Sequence, residues 1–393
     1  EAPPAVFEIL EAVFEPAEVE TVLDVVQGLE PGLWNEGADT VDKQPTYDLD
    51  VIWGGRWRPG LEDLRQVLER PLERLTEQVN AWHGRSGRAE ISAGPLVPSQ
   101  IFIRRYALGQ RRSHPAHYDQ HALVTALTSL TTPRAKSGLF VQHGAHISTR
   151  EFVALDQATP GSFVVHGYDL LHGVDVRGDE ERISFIVWFK PEVNVRTGDE
   201  GWYEALAAAG DGHAQYRLGA QLAVDGDEEG AQKWLLRAAE QGSFFAMRYL
   251  GVLLRRRGES EAAAPWFWAS AQQGHAPAQV DLGDLLCGGG PPAAPPALDS
   301  KAAELYREAA VQGQPKGQHR LARVHLAAGE TEVGEALLRE AAGQELAVAQ
   351  ADLGLWLELQ SHGAEADEEA LSWYRRAAAQ GHERAARRLR ELE

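Results

Sequence analysis

TPGSFVVHGYDLLHGVDVRGDEERISFIVWFK, residues 159–190, contains two short runs of strand-forming residues separated by a polar turn. The runs GSFVVHG (161–167) and RISFIVWFK (182–190) are rich in β-branched and aromatic residues and are bounded by Gly, Pro and Asp, which is typical of strands. Earlier runs of the same kind are SQIFIRRYALG (99–109), ALVTALTSL (122–130) and SGLFVQ (137–142). This series of short strands predicts a double-stranded β-helix, also called a jelly roll.

Two amphipathic segments precede these strands. EPAEVETVLDVVQGL (15–29) and GLEDLRQVLERPLERLTEQVNAW (60–82) carry apolar residues at spacings of three and four, the period of a helix with one buried face. We therefore expect helices that flank the β region, and an α+β first domain at residues 1–198.

The remainder of the chain, residues 199–393, is rich in alanine and has an internal period. Leu-Gly pairs end at Gly219, Gly251 and Gly283, which are 32 residues apart (251−219 and 283−251), and Gly354 follows Ala322 by the same 32 (354−322). Each pair is trailed by a related motif: WLLRAAEQG, WFWASAQQG, LYREAAVQG, LLREAAGQE or WYRRAAAQG. One pair of helices cannot bury its apolar face alone, so this period predicts a solenoid of stacked helix pairs.

The small residues of this period are expected to let neighbouring helices approach closely. The large residue that opens each motif, such as Trp234 or Trp266, is expected to fill the groove between them. The pattern resembles the Sel-one-like repeat, a relative of the tetratricopeptide repeat, over nearly the whole second half. The resemblance implies a scaffold that binds or presents a protein. A solenoid that only stabilises or dimerises the first domain is the alternative.

Composition limits the classes of partner and compartment. The 393 residues include 58 acidic and 38 basic side chains, for a net charge of -20, which disfavours nucleic acid or an anionic membrane as the main partner. The chain has one cysteine, so it forms no intrachain disulfide, and a reducing compartment such as the cytoplasm is favoured. It contains no apolar run of about 18 residues, so we expect a soluble protein without a membrane span.

The segment HPAHYDQHAL (114–123) carries the first candidate site residues. Of the 14 histidines, His117 alone has a carboxylate two positions later, Asp119, and on an extended segment these side chains point to the same face. His172 lies 53 residues after Asp119 (172−119), and Arg182 lies ten after His172 (182−172). Two imidazoles and one carboxylate leave three positions open on Fe(II), enough for a bidentate 2-oxoacid and dioxygen.

Arg182 is the candidate anchor for the far carboxylate of such a co-substrate, because a guanidinium offers two parallel donors and stays charged when buried. Ser184 shares its strand face and can add a donor. Arg177 is a rival anchor in a turn. The flanking His114 and His121 are alternatives to His117 as a ligand, and the remaining nearby histidines are expected at the surface or the pocket edge: His143, His146 and His166.

Residues 100–190 resemble a 2-oxoglutarate/Fe(II) dioxygenase of the prolyl 4-hydroxylase type. The resemblance rests on IFIRRYALGQ, HPAHYD, LVTALTSL, SGLFV and the stretch from residue 159 to 190. It implies Fe(II), 2-oxoglutarate and O2 as cofactor and co-substrates, with ascorbate as a further candidate. By the same resemblance the site residues are the iron ligands His117, Asp119 and His172, the anchor Arg182, the side-wall donor Tyr106, the pocket residue Trp188, and Thr125 or Ser129 where the family often has tyrosine.

The loop segment DKQPTYDLDVIWGGRWRPG (42–60) holds three aromatic side chains, Tyr47, Trp53 and Trp57. In the family that the chain resembles, loops before the barrel commonly fold over the peptide, so these aromatics are candidates to clamp an extended chain that contains proline. The alternative is that both tryptophans are ordinary core residues.

Together these features predict a hydroxylase of a peptide or protein residue, with proline as the first candidate. The helical repeats would recruit or position that substrate, because tethering raises its local concentration at the metal. Two other hypotheses stay open: a hydroxylase of a small molecule on the same iron, and a non-enzymatic repeat scaffold with an oxygenase-fold docking unit. A nucleic-acid demethylase is disfavoured by the acidic charge and the arginine pattern.

Overall fold

A computed structural model of the chain describes residues 7–38, 45–86, 94–107, 112–132, 134–179, 181–197, 201–288, 294–360 and 364–392. The chain divides into two units. The first consists of Glu1–His143 and Ser148–Ala209, and the second of Gly144–Ile147 and Gly210–Glu393. Among the described residues, none of the helices combines the length and the apolar character needed to cross a membrane.

The strands lie in the first unit. They are β1 (Phe7–Leu10), β2 (Asn35–Ala38), β3 (Pro45–Trp53), β4 (Arg56–Trp57), β5 (Leu96–Tyr106), β6 (Ser113–His117), β7 (Val124–Ser129), β8 (Gly138–Gln142), β9 (Arg150–Phe152), β10 (Phe163–Gly167), β11 (His172–Asp175) and β12 (Arg182–Pro191). Each of the five predicted strand segments contains a strand, and the antiparallel β region is confirmed.

Two antiparallel sheets form from these strands. The larger has eight strands, seven of them in the order β1-β10-β7-β12-β5-β3-β2 with β4 beside β3, and the smaller has the order β6-β11-β8-β9. Strands β5 to β8 alternate between the two sheets along the chain, and so do β9 to β12. One apolar cluster joins the sheets, because Leu127 and Val164 of the larger pack with Leu139 and Val141 of the smaller.

Four helices accompany the sheets: α1 (Pro16–Gln27), α2 (Glu62–Arg85), α3 (Glu192–Thr197) and α4 (Trp202–Ala208). The first two match the predicted helices. The start of α1 is fixed by a reciprocal capping box between Glu15 and Glu18, which satisfies backbone N–H groups that lack an intrahelical partner. The α2 helix packs on α1 and on β5.

The first unit ends at Ala209 rather than at residue 198, where the composition changes. The reason is α4, which packs on the β-rich unit. Tyr203 of α4 donates a hydrogen bond from its hydroxyl to the Gln120 carbonyl (3.1 Å), and its ring meets Tyr168 edge-on at 5.7 Å. These contacts place α4 with the sheets although its sequence is helical.

The second unit is a solenoid-like series of helices. They are α5 (Gly212–Asp225), α6 (Glu228–Glu240), α7 (Phe244–Arg256), α8 (Ser260–Gln272), α9 (Ala276–Leu286), α10 (Lys301–Val311), α11 (Pro315–Ala327), α12 (Thr331–Gly343), α13 (Ala347–Gln360), α14 (Ala364–Ala379) and α15 (Glu383–Leu392). Each helix contacts the next, and α5 also contacts α7 as α9 contacts α11, which is the neighbour-to-neighbour packing of a repeat protein.

The repeat glycines mark the closest approaches between helices. A Cβ on Gly251 would lie 2.6 Å from the Phe267 ring, and one on Gly283 would lie 2.5 Å from the Tyr306 ring. The predicted close approach is therefore present, but the groove is filled by the residue after the one that opens each motif. Trp266 is only partly buried at the edge of this packing, whereas Phe267 is fully buried.

Glutamine side chains form a hydrogen-bonded ladder along the solenoid. The pairs are Gln241 to Gln215 (2.9 Å), Gln312 to Gln279 (3.0 Å), Gln344 to Gln318 (2.6 Å) and Gln380 to Gln350 (2.8 Å). The donor glutamine comes from the motif ending in Gln-Gly or Gln-Glu, and the acceptor lies on the first helix of the same repeat pair. This ladder satisfies amide groups that packing would otherwise leave without partners.

Candidate metal and co-substrate site

Three predicted ligands meet where β6 and β11 pair. His117 is the last residue of β6 and lies opposite His172, the first residue of β11, and Asp119 follows two positions after β6 ends. The ligand atoms of these three side chains all lie within 4.8 Å of one another. The fold therefore brings together two imidazoles and a carboxylate that are up to 55 residues apart (172−117).

Asp119 is the centre of the cluster. The His117 Nε2 atom lies 3.6 Å from Asp119 Oδ1, and the His172 Nε2 atom lies 3.5 Å from Asp119 Oδ2. The Thr125 hydroxyl donates a hydrogen bond of 2.6 Å to Oδ2. Thr125 is thus placed to orient the carboxylate, a contact that differs from the co-substrate role predicted for it.

The protonation states suit a cation at this point. Burial raises the pKa of Asp119, but the neighbouring His172 and His117 outweigh this effect and hold the pKa well below its ordinary value. Burial lowers the pKa of His172 well below its ordinary value, despite the opposing effect of Asp119. An ionised carboxylate beside a neutral imidazole is the state in which these groups bind a transition metal.

Backbone carbonyls fix the ring orientation of both histidines. The Nδ1 atom of His117 lies 2.9 Å from the Pro115 carbonyl, and that of His172 lies 3.1 Å from the Leu170 carbonyl. Since a carbonyl oxygen only accepts, Nδ1 carries the proton and each Nε2 lone pair faces the pocket. Metal-binding histidines usually have such a partner at the ring nitrogen that does not face the metal.

The two flanking histidines are not in the ligand trio. The His114 Nδ1 atom lies 3.0 Å from the Nδ1 of His117, on the side of that ring away from the carboxylate contact. The His121 ring lies 6.1 Å from the Trp188 ring. His117 is therefore the histidine of this segment that meets Asp119 and His172.

Arg182 is the first residue of β12, in the larger sheet, whereas His117 and His172 belong to the smaller sheet. Arg182 faces Tyr106 across the β5–β12 pair, and its Nε donates a 3.0 Å hydrogen bond to Ser184 Oγ. The guanidinium is buried, and its Nη2 atom has no hydrogen-bond partner among the described residues. Burial lowers the pKa of Arg182 to about 10, so the group still carries its charge at neutral pH.

A glycine makes room for this guanidinium. Gly138 has φ +98°, and a Cβ there would lie 2.4 Å from Arg182 Nη1. The rival anchor Arg177 instead pairs with Asp175 at 3.0 Å, and its side chain is 60% exposed. A buried donor without a partner is costly, and Arg182 therefore has the features of an anion-binding group that Arg177 lacks.

A row of side chains crosses the larger sheet beside the trio. In register order it runs from His166 on β10 to Thr125, Trp188, Gln100 and finally Trp53 on β3. Directly opposite residues in neighbouring strands share one face of a sheet. The row therefore connects Thr125, the partner of the Asp119 carboxylate, through Trp188 to Trp53 on β3.

Of the three candidate substrate aromatics, Trp53 ends this row, Trp57 lies beside it on β4, and Tyr47 lies six residues away along β3 (53−47). Trp53 is 66% exposed, so the alternative that it is a core residue is wrong. Tyr47 is half-buried on β3, and Trp57 is half-buried with Arg65 over its ring at 5.7 Å. Trp53 is the member of this group that is free to contact a long substrate.

Sequence reasoning missed one side chain of the pocket. His166 was expected at the surface or the pocket edge. It is completely buried, so the surface position is wrong, but the pocket-edge position is not; what the sequence did not show is its approach to Asp119. Its Nε2 atom lies 3.8 Å from Asp119 Oδ2. The alternation of inward residues along β10 (Val164 and His166) was the available signal, but the strand that faces it could not be read from the sequence.

Comparison with known proteins places parts of the chain beside two kinds of protein. No protein-family model and no curated protein matches the chain. Among solved structures, a Sel1 repeat protein from Oxalobacter formigenes aligns at 27% identity and TM-score 0.41, over 52% of this chain and 61% of that protein. This chain therefore spans less than two thirds of that protein's length.

Two oxygenases also align, again over about half of the chain. An oxidoreductase of the 2OG-Fe(II) oxygenase family from Burkholderia pseudomallei has 15% identity and TM-score 0.35, with 48% of this chain and 87% of that one covered. A viral collagen prolyl hydroxylase from Paramecium bursaria Chlorella virus-1, solved with 2OG, has 14% identity and TM-score 0.30, with 48% and 97% covered. The structural neighbours thus include Sel1 repeat proteins and 2OG-Fe(II) oxygenases.

Proposed function

We propose that the protein is a 2-oxoglutarate- and Fe(II)-dependent hydroxylase of a peptide or protein residue, with proline as the first candidate. The observation that carries the proposal is the convergence of His117, Asp119 and His172 in the unit that also buries the unpaired Arg182 guanidinium. Two imidazoles and one carboxylate suit a non-haem Fe(II) that keeps open positions, and the guanidinium suits a carboxylate.

The residues fit the metal and co-substrate on independent grounds. Asp119 is ionised, the His172 imidazole is neutral, and both ligand histidines present a lone pair to the pocket. Arg182 has an unsatisfied donor where the distal carboxylate of a five-carbon diacid would bind. When bound, Fe(II) supplies the activation of dioxygen that hydroxylation of an unactivated C–H bond requires, with 2-oxoglutarate as the reductant.

The remaining residues would orient these groups. Thr125 holds the Asp119 carboxylate by its hydrogen bond. Ser184 accepts from Arg182 and keeps its own hydroxyl proton to donate to the co-substrate carboxylate. Tyr106 lies across the strand pair from Arg182 and would donate on the other side. The alternation of consecutive strands between two sheets supports a double-stranded β-helix as the scaffold for this site.

A peptide substrate is favoured by what lies outside the pocket. Trp53 is exposed at the end of the row that starts at the carboxylate, where an extended chain can stack on it. The second unit also has a cavity of about 620 Å³, within the size range of ligand pockets. Its lining combines apolar side chains with arginines: Leu326, Leu338, Val348, Leu355, Trp356, Leu359, Arg320, Arg323 and Arg384, together with His319 and Asp352.

The test is succinate release from 2-oxoglutarate in the presence of Fe(II), ascorbate and peptides containing Pro, Lys, Asn or Arg. We expect one class of peptide to raise turnover above the uncoupled background, with an added oxygen detected by mass spectrometry. His172→Ala should abolish turnover. His143→Ala is the matched control, because His143 is half-exposed and pairs with Glu151. Absence of turnover with every peptide, together with hydroxylation of a metabolite, would favour the small-molecule alternative.

The role of the repeats needs a separate measurement. We propose that the cavity of the second unit, whose lining includes Arg384, holds part of a protein substrate. Arg384→Glu should then raise KM for the full-length substrate and leave kcat for a short peptide unchanged, whereas the exposed Arg256→Glu serves as the control. Equal kinetics for both variants on the full-length substrate would contradict recruitment through this cavity.

A further inference from the structure

A third imidazole faces the candidate metal site. His166 is 0% exposed, and its Nδ1 lies 2.9 Å from the Gly167 carbonyl. Because that oxygen can only accept, Nδ1 carries the proton and the Nε2 of the neutral ring presents a lone pair. This Nε2 has no hydrogen-bond partner in the part of the chain that the structure describes, and it lies 3.8 Å from Asp119 Oδ2.

His166 repeats the arrangement of the two ligand histidines. In all three, a nearby backbone carbonyl fixes Nδ1, and Nε2 is left for the pocket: Pro115 for His117, Leu170 for His172 and Gly167 for His166. The rings are adjacent, with centroids 4.4 Å apart for His166 and His172 and 4.6 Å apart for His117 and His172. Three imidazoles therefore surround one carboxylate.

The contact between His166 and Asp119 requires an electropositive partner. A nitrogen lone pair and a carboxylate oxygen are both acceptors, and their approach in a buried site is unfavourable without a donor or cation between them. The same cation that the trio binds can satisfy the His166 lone pair. A buried, unsatisfied acceptor that faces a metal site is thus explained by coordination.

We propose that His166 is a fourth protein donor, which binds the metal ion in the absence of 2-oxoglutarate. The proposal rests on the proposed function. His166 stands outside the trio whose ligand atoms are mutually within 4.8 Å, so we expect it to be the weakest of the four donors. An octahedral ion with four protein donors has two open positions, whereas a bidentate 2-oxoacid and dioxygen need three. The co-substrate must therefore displace His166.

The number of coordinated imidazoles tests this directly. The full-length protein is loaded with Cu(II), and electron spin-echo envelope modulation counts the remote imidazole nitrogens. We expect three imidazoles without 2-oxoglutarate, two after it is added, and two in His166→Leu. His83→Leu replaces another buried histidine, on α2, and should keep three. Two imidazoles in the wild-type protein without co-substrate would overturn the proposal. This measurement is made on the wild-type protein, so it does not depend on whether the variants fold.

Metal affinity gives a second readout. Co(II) binding to His166→Leu should weaken by about ten-fold or more, the order seen when groups around metal ligands are removed. An unchanged Co(II) affinity in a variant with a wild-type melting temperature would count against the fourth donor. The two proposals fail separately: succinate release with only two imidazoles rejects the role of His166 alone, and three imidazoles without any release from 2-oxoglutarate reject the oxygenase alone.

Discussion

The two units of the protein differ in the buried polar groups that characterise them. In the β-rich unit, several buried side-chain atoms have no hydrogen-bond partner among the described residues, including His166 Nε2, Arg182 Nη2 and Trp188 Nε1. In the repeat unit, many buried polar side chains pair with one another along the repeats, as in the hydrogen bond from Tyr306 to Asp284 (2.8 Å) and the glutamine ladder. A buried polar group without a partner lowers stability unless a ligand pairs with it, whereas paired groups stabilise the unit itself.

The units also differ in how many residues of sequence separate the side chains that they bring together. Asp119 and Arg182 are 63 residues apart (182−119), and their placement depends on strand register. In the repeats, Gly219 packs on Leu235 and Gly251 on Phe267, both at a separation of 16 (235−219 and 267−251). Local, repeated contacts distribute stability over many positions, whereas the site concentrates function in a few side chains.

The first prediction, which has the largest expected effect, concerns the buried guanidinium of Arg182. Arg182→Met should raise KM for 2-oxoglutarate by about 30-fold or more, because losing one partner of a buried charge pair costs about 2 kcal/mol or more. The same substitution should leave the free energy of unfolding of the protein without co-substrate unchanged or increased, since it removes a buried charge without a matching carboxylate.

Steady-state kinetics and urea unfolding measure the two effects. Arg177→Met is the control, because that arginine is exposed and pairs with Asp175. An Arg182→Met protein with wild-type KM would show that the guanidinium does not bind the co-substrate. A large loss of stability with unchanged kinetics would make Arg182 a structural residue like the paired arginines of the repeats.

The second prediction concerns packing in the repeats. Gly283→Ala places a methyl group 2.5 Å from the fully buried Tyr306 ring, and overpacking of this kind costs roughly 1–3 kcal/mol. Gly343→Ala is the matched control, because a Cβ there meets no atom within 4 Å. Urea unfolding should show a lower midpoint for Gly283→Ala alone, and turnover of a short peptide should not change. Equal midpoints would contradict close packing at the repeat glycines.

The sequence predicts the parts of the molecule that depend on local pattern. The period of 32 locates the repeat glycines, and alternating strand residues locate β7, β10 and β12. The motif from His117 to Asp119 is itself local, so it could be found without a fold. The large groove-filling residues were misplaced by one position, because Trp266 and Phe267 are both large and the helical phase decides which of them turns inward.

Contacts across strands were beyond the sequence. Gly138 of β8 makes room for Arg182 of β12, and His166 of β10 faces Asp119, because of how the two sheets and their strands are arranged, with β8 in the smaller sheet and β10 and β12 in the larger. Thr125 was assigned to the co-substrate wall, and its hydrogen bond to Asp119 appears only once the segment after β6 is placed. A single sequence carries no record of which strands lie opposite each other, and these roles depend on that arrangement.

The third prediction uses pH to probe a paired polar group of the repeats. Burial lowers the pKa of His275 to about 3, and the nearby Arg248 adds to this. A lowered folded-state pKa means that the unfolded chain binds the proton first as pH falls below about 6.5. The stability is therefore present above about pH 6.5 and is lost progressively as pH falls from about 6.5 to about 3.

At pH 5.5 this loss should amount to about 1.4 kcal/mol for one group. His275→Asn removes the titrating ring and keeps a polar side chain at the start of α9. Urea unfolding at pH 7.5 and pH 5.5 should show a smaller difference for this variant than for the wild type. The same pH dependence in both proteins would rule out His275 as the source.

The last prediction, which has the smallest expected effect, concerns a substitution that would complete the glutamine ladder. Gln273 lies 3.3 Å from the Met247 sulfur, whereas the positions 32 residues before and after Met247 are Gln215 and Gln279, both members of the ladder. Met247→Gln would replace a weak thioether acceptor with an amide and should stabilise the repeats by about 0.5–1 kcal/mol, the net value of one hydrogen bond. Met247→Leu, which keeps the size but offers no acceptor, is the matched control. If both variants unfold at the same urea concentration, the ladder is a consequence of repeat packing and contributes no measurable stability of its own. The paired groups of the repeats would then differ from the unpaired groups of the first unit in function and not in their contribution to stability.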